Sequence, residues 1–270
     1  MLQVENLRFA YVSDQPVLRD VTFGLNGGDV LCVLGPNGTG KTTLLRCLLG
    51  LSRPAGGRIV LDGKDMSTVS SRARAEYMAY VPQASTIAFP YEAEEIVLMG
   101  RIAHLRVGAS PSKKDESICR EAMESLGISH LRRKMFNRLS GGERQMVLVA
   151  RAMAQQAHIM AMDEPTANLD YGNQVRILRL VHHLAEEGYS ILLITHFPDH
   201  AFLACNQAVL MKDGLVKARG SPEEVITSES LTRLYGTEVN VTEAPLCGCG
   251  LTAKVCVPLM SNGGRGEATT

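Results

Sequence analysis

Three short runs in this chain hold residue types that can do phosphate chemistry. Residues 35–43 read GPNGTGKTT and fit the pattern G-x-x-x-x-G-K-[ST]. In such a loop the glycines let backbone N–H groups turn inward around a phosphate, at the positive end of the helix that follows. Gly35, Pro36, Asn37, Gly38, Thr39 and Gly40 make the loop. Lys41 brings a compact charge to the β- and γ-phosphates, the Thr42 hydroxyl is offered to Mg²⁺, and Thr43 to the α-phosphate. A second run, HIMAMDEP at 158–165, ends in two adjacent carboxylates. Asp163 can reach the metal through its water shell, and Glu164 can polarise the attacking water as general base. His196 closes a further run, SILLITH, where it can bond the γ-phosphate; alone, a histidine ending a strand is more often structural, so its case depends on its companions.

The third run is harder to place. LSGGERQ, Leu139 to Gln145, brings a second glycine pair, opened by a serine, to a chain that already holds a phosphate loop. Ser140, Gly141 and Gly142 open a helical pattern, whose amides and dipole favour an anion.

The elements that must position these residues follow from hydrophobic pattern. VLCVLG (30–35) is continuously apolar, as a strand buried on both faces must be, and KTTLLRCLLG (41–50) follows with helical spacing. The runs at 158–165 and 190–196 read as buried strands, each after a helical stretch, so strands alternate with helices in a parallel α/β sheet. That topology carries all strand ends to one edge. Short β-rich runs fill the first thirty residues or so, and from 92 to 154 the pattern is mostly helical and interrupts the alternation. After Tyr235 the texture becomes extended, and SNGGRGEATT at the end reads as disordered.

Composition narrows the class. The chain has 270 residues, 45% hydrophobic and 21% charged, as expected of a globular protein with a large core. Twenty-eight basic and twenty-eight acidic residues leave no net charge, so nothing points to nucleic acid. No apolar run is long enough to span a bilayer, and the start MLQVENLRFAYV lacks the features of a secretory signal. Of seven cysteines, Cys32, Cys47, Cys119 and Cys205 lie among apolar neighbours and read as reduced, buried thiols.

In order and spacing, the phosphate loop, LSGGERQ, DEPTANLD and ITH resemble the ATPases of ATP-binding cassette (ABC) transporters, over roughly residues 2–236. The resemblance implies an α/β fold: a phosphate-loop core with a mostly parallel sheet, an N-terminal antiparallel β subdomain and an inserted helical subdomain over about 86–155. It implies a cassette over 1–236 and a C-terminal extension over 237–270. It also accounts for the second glycine pair: in this family Leu139, Ser140, Gly141, Gly142, Glu143 and Gln145 complete the ATP site of another subunit, so a homodimer sandwiches two MgATP. Further positions carry over one at a time. Tyr11 matches the aromatic that stacks on adenine, with an ordinary strand tyrosine as the other reading. Gln83 matches the glutamine that reaches Mg²⁺ and the attacking water, so Thr42, Gln83 and Asp163 form the metal set. Asp170 matches the acid that touches the opposite subunit's phosphate loop.

STIAFPYEAEEIVLMGRIAHL (85–105), with Arg101 and His104, is similar to the iron–siderophore, haem and cobalamin uptake branch, where this region receives a cytoplasmic helix of a permease. The expected protein is therefore an importer ATPase, peripheral at the cytoplasmic face of the inner membrane and coupled through the Gln83–Arg101 region to permease subunits. A substrate-binding protein meets it only through the permease. A soluble cassette ATPase acting on DNA or ribosomes, or an exporter subunit, remain the alternatives. The tail cysteines Cys247, Cys249 and Cys256 lack the paired spacing of a structural zinc site and read as reduced thiols, with metal or redox sensing as the other reading.

Overall fold

The computed structural model describes residues 1–83, 89–106, 108–246 and 252–259. The chain begins with β1 (Leu2–Val12), β2 (Gln15–Leu25), β3 (Val30–Leu34), α1 (Lys41–Leu48), β4 (Gly56–Leu61), β5 (Lys64–Asp65), α2 (Ser71–Tyr77) and β6 (Met78–Val81). A helical stretch follows, with α3 (Ala93–Leu98), α4 (Lys113–Ser125) and α5 (Gly141–Ala154) joined by 3₁₀ turns. Next come β7 (Ile159–Asp163), α6 (Tyr171–Glu186), β8 (Ser190–Thr195), α7 (Pro198–Ala204), β9 (Gln207–Lys212) and β10 (Leu215–Gly220). The last elements are α8 (Pro222–Val225), α9 (Ser228–Tyr235), β11 (Val239–Pro245) and β12 (Thr252–Pro258).

The main sheet has strand order β10-β9-β3-β8-β7-β6. Every pairing in it is parallel except that of β10 with β9. The second sheet, β2-β1-β4-β5, is antiparallel. The expected α/β class, with a mostly parallel sheet beside an antiparallel one, is what the chain adopts.

Strand β8 shows why the apolar runs are unbroken. Ile191 and Leu193 pack into the core formed with α5 and α6, whereas Leu192 and Ile194 face the core formed with α1 and the antiparallel sheet. A strand covered on both faces favours apolar side chains along its middle, and here the polar ones, Ser190 and Thr195, stand at its ends. Parallel pairing then delivers the C-terminal ends of β3, β6, β7 and β8 to one edge, and the phosphate loop, Gln83, Glu164 and His196 all leave from it.

One expectation for the helical stretch changes. Arg101, expected where a membrane partner couples, is only 5% exposed. Its guanidinium donates to Asp115 Oδ1 (2.9 Å), the Ala154 carbonyl (2.7 Å) and Gln156 Oε1 (3.0 Å). It ties the 3₁₀ turn over Met99–His104 to α4 and the end of α5, and its guanidinium is spent on these internal partners. Gly100 is a packing requirement, because a Cβ there would lie 2.2 Å from the Arg151 carbonyl oxygen. His104 stays exposed, with its Nε2 2.7 Å from the Gln155 carbonyl.

The extended stretch after Tyr235 forms a two-stranded antiparallel sheet, with Val239 opposite Pro258, packed against α7 and α9. Cys247, Cys249 and residues 260–270 lie outside the described residues. Cys256 is half-buried, and burial pushes its thiol up to about 12, far from a thiolate at neutral pH. Among the described residues no group of three or more His, Cys, Asp or Glu side chains converges as a metal cluster.

Candidate functional site

The phosphate loop turns sharply because two of its glycines take left-handed backbone, Gly38 at φ 79° and Gly40 at φ 97°. A Cβ on Gly40 would meet Leu18 Cδ2 at 2.9 Å and the Val17 carbonyl at 3.0 Å, so the loop presses against β2 with no room for a side chain. No side chain caps α1. The amides of its first turn are thereby left for a ligand, at the positive end of the helix dipole. The loop and α1, with Val17, Gln83 and Glu164, wall a cavity of about 320 Å³.

Charge is concentrated there. Lys41 is 5% exposed and its ammonium donates to the carbonyls of Gly35 (2.6 Å) and Pro36 (2.8 Å). Burial pushes its pKa down, against the pull of Glu164 and Asp163. Asp163, the last residue of β7, is buried, and desolvation raises its carboxyl, with neighbouring Glu164 adding to the rise; a hydrogen bond from Thr42 and the charge of Lys41 oppose it. Oxygens of this kind, a hydroxyl, a carboxylate and an amide, suit a hard divalent cation. The cavity, the uncapped helix and the buried ammonium fit a nucleoside triphosphate.

Glu164 directly follows β7 and has φ 47°, backbone that residues with a Cβ seldom adopt and that is found at functional sites. Its amide donates to the Ile194 carbonyl over 2.9 Å, which anchors the turn to β8. Gln83 Nε2 donates to Glu164 Oε2 over 3.1 Å. His196 Nδ1 lies 3.1 Å from Glu164 Oε1, yet it has no aligned hydrogen bond. The pair is a close contact and not a hydrogen bond, since the separation is short but the ring direction is wrong for donation. Gln83, Glu164 and His196 thus meet at one point, His196 as expected from the sheet edge and Gln83 as the family resemblance implied.

Tyr11 stands beside the loop, with its hydroxyl 3.3 Å from Thr43 Oγ1 and its ring edge-on to Phe9 at 4.8 Å. The ring is 61% exposed. Thr39 Oγ1 donates to the Pro36 carbonyl (2.9 Å) and shapes the loop.

The residues of LSGGERQ lie elsewhere, and none of 139–145 walls this cavity. Ser140 caps α5: its Oγ accepts from the Glu143 amide (3.3 Å) and Glu143 Oε2 accepts from the Ser140 amide (2.8 Å). Leu139 is buried, while Gly141 has open surroundings, with Leu169 Cδ2 3.5 Å from where a Cβ would stand. On Gly142 a Cβ would meet the Asn173 amide at 2.5 Å. Gln145 is 4% exposed and its Nε2 has no hydrogen-bond partner. Asp170 caps α6, accepting from the Asn173 amide (2.9 Å) and Nδ2 (2.7 Å).

Sequence reasoning missed a layer behind the site. His200 is buried, with Nδ1 3.4 Å from both Thr166 Oγ1 and Thr195 Oγ1, so it joins the Glu164 turn to the His196 turn. Burial drives its imidazole down to about 4, neutral at physiological pH. The spacing THFPDH, four residues on from His196 at the start of a short helix, is the signal that could have found it. Tyr235 reaches the same region, and no local pattern announces it.

Comparisons with known proteins agree with this geometry. Residues 18–167 match the ABC transporter family. The chain is 38% identical over 250 residues to the hemin import ATP-binding protein HmuV of Pseudomonas aeruginosa, covering 91% of this chain and 96% of that protein. To the molybdate import ATP-binding protein MolC of Haemophilus influenzae it is 37% identical, covering 87% of each. A solved structure of an ABC transporter assigned to the metal-chelate type, in an inward-facing conformation, superposes with a TM-score of 0.86 at 35% identity, covering 96% of this chain and 97% of that one. The phosphate loop, the carboxylate turn and these comparisons carry one conclusion: the chain belongs to the ABC transporter family, as an ATP-binding, ATP-hydrolysing subunit.

Proposed function

We propose that this chain is the ATPase subunit of an ABC importer, acting as a homodimer on a separate membrane permease. The observation that carries the reading is the separation just described. The cavity at the phosphate loop is lined by the loop, α1, Val17, Gln83 and Glu164, and no residue of the second glycine pair, which opens α5, is among its walls. Two chains in head-to-tail, two-fold arrangement bring each Ser140–Gly142 segment against the γ-phosphate held by the other. Import, and a cargo such as a siderophore, haem, cobalamin or a related chelate or oxyanion, is supported by the hemin, molybdate and metal-chelate relatives.

In this mechanism the loop amides and Lys41 hold the β- and γ-phosphates, and Tyr11 stacks on the adenine. Thr42, Gln83 and Asp163 would hold Mg²⁺, which would supply neutralisation of charge developing on the phosphates. Glu164 takes the proton of the attacking water, and His196 steadies the γ-phosphate. Asp170, at the head of α6, meets the partner's phosphate loop. ATP drives closure only to the extent that it favours the closed dimer over the open one.

Among the described residues no helix is long and apolar enough to cross a membrane. The subunit is peripheral at the cytoplasmic face of the inner membrane, with the permease as direct partner and a substrate-binding protein reached through it. No nucleic acid partner is expected. Residues 1–236 form the cassette, with the helical insertion at about 86–155, and 237–270 an extension. The test is a pull-down of tagged Glu164→Gln from native membranes with MgATP, followed by mass spectrometry. A polytopic membrane protein at equal stoichiometry supports the reading. Recovery of only ribosomes, DNA or soluble partners sinks the importer in favour of a soluble cassette ATPase, and a permease encoded with exporter components instead turns the direction round.

A further inference from the structure

The C-terminal part of the chain reaches back to the segment that carries His196. Tyr235, the last residue of α9, donates its hydroxyl to the His196 carbonyl over 2.9 Å. The ring packs against a buried patch that includes Cys32, Leu34, Leu231 and Leu234, so packing fixes the direction of the hydroxyl. Helix α7 starts two residues beyond His196 and is held twice more by the same part of the chain. The Cys256 amide in β12 donates to Asp199 Oδ1 over 2.9 Å, and Lys254 Nζ stands 5.8 Å over the Phe202 ring.

The imidazole itself has little to hold it. Its Nδ1 is shielded from solvent and forms no hydrogen bond, although Glu164 Oε1 is 3.1 Å away. A ring without a directed bond takes its orientation from its own backbone and from packing, here against Phe197 with ring centroids 4.1 Å apart. The backbone at this point is pinned on one side by the Phe197 amide, which donates to Thr195 Oγ1 over 3.1 Å, and on the other by Tyr235.

We propose that Tyr235 is a positioning residue for ATP hydrolysis: through the His196 carbonyl, its hydroxyl keeps the His196 imidazole against Glu164. The C-terminal element thereby becomes part of the hydrolytic machinery and not only a cover for the sheet. The inference rests on the reading of His196 as the side chain that steadies the γ-phosphate.

The test is Tyr235→Phe in the full-length chain, which removes one hydroxyl and keeps the packed ring. We expect kcat for ATP to fall roughly threefold to tenfold, the range that one neutral hydrogen bond is worth. KM for ATP and MgATP affinity in the Glu164→Gln background should stay unchanged. Release of labelled phosphate is then followed in His196→Ala and in the His196→Ala/Tyr235→Phe double variant. If Tyr235 acts through His196, the second substitution adds no further loss. The same fold loss in both backgrounds overturns the proposal, as does Tyr235→Phe with full kcat or with only a lower melting temperature. Full turnover in His196→Ala alone removes the His196 assignment itself, a separate failure that takes the proposal with it.

Discussion

His196 Nδ1 stands 3.1 Å from Glu164 Oε1, while Gln83 Nε2 donates to the other oxygen of the same carboxylate. A carboxylate approached from both sides has its oxygens oriented before any water arrives, and its left-handed backbone keeps it at the head of the turn. Glu164→Gln retains the shape and loses the base. MgATP binding should persist, turnover should fall about 10²-fold or more, and the ATP-bound dimer should accumulate. Steady-state phosphate release together with light scattering checks both parts. Near-normal hydrolysis would remove Glu164 from its role.

Gly141 offers a sharper probe of the two-chain site. An alanine Cβ there meets only Leu169 Cδ2 at 3.5 Å and the Asn168 carbonyl at 3.9 Å, ordinary contacts. At a helix N-terminus the change should leave melting unchanged or raise it slightly. If another chain's phosphate approaches this amide, ATP-driven dimerisation of the Glu164→Gln protein should weaken by about tenfold or more, the worth of one charge-assisted hydrogen bond. Unchanged dimerisation would mean that the glycine faces nothing.

Arg101 and Asp115 form a buried pair, with side chains 7% and 11% exposed. Arg101→Ala strands the carboxylate and the Ala154 carbonyl in the interior of the helical stretch, and we expect a loss of about 3 kcal/mol or more in urea unfolding. Arg101→Ala/Asp115→Ala should recover part of it. A loss below about 1 kcal/mol in the single variant would contradict the strut assigned to this pair.

His200 gives a pH dependence with a defined sign. Burial lowers its pKa from 6.5 to about 4, with the carboxylate of Asp199 opposing that shift and neighbouring His196 adding to it. Between those values the unfolded chain binds a proton that the folded chain does not, so stability falls as pH drops through the window, by at most about 1.4 kcal/mol per pH unit from this group. His200→Gln, which cannot titrate, should flatten the slope between about pH 6.5 and about pH 4 in urea midpoints. An unaltered slope would assign the acid sensitivity to other groups.

The sequence made the nucleotide cavity legible because its parts are local. A buried strand, a glycine turn and an amphipathic helix lie consecutively in residues 30–48, and each leaves its own pattern. Meeting of Gln83, Glu164 and His196 was legible one step further on, since parallel strands carry their ends to one edge. Arg101 was placed in a region coupling to the permease on resemblance alone, which carries no information on the direction of its side chain. Only the packing of Gly100 on Arg151 shows that the arginine points inward. Tyr235 left no signal because its partner is set by where α9 docks, and His200 left only the spacing THFPDH, since its contact with Thr166 is set by where α7 docks. The left-handed backbone of Glu164 is of the same kind: the residue type argues against it, and the anchor to Ile194 imposes it.

The strand order β3-β8-β7 has a consequence for synthesis of the chain. β8 (Ser190–Thr195) is translated after both of the strands it separates. Until it emerges from the ribosome, β3 and β7 have no central partner, and the loop bearing Lys41 and the turn bearing Glu164 cannot be set at their final spacing. A nascent chain at that stage presents two apolar strands with open edges, which are sites for chaperone binding or aggregation. Hydrolytic competence is therefore withheld until translation has passed the His196 turn, and a product terminated before β8 lacks the strand that sets Lys41 and Glu164 at their spacing.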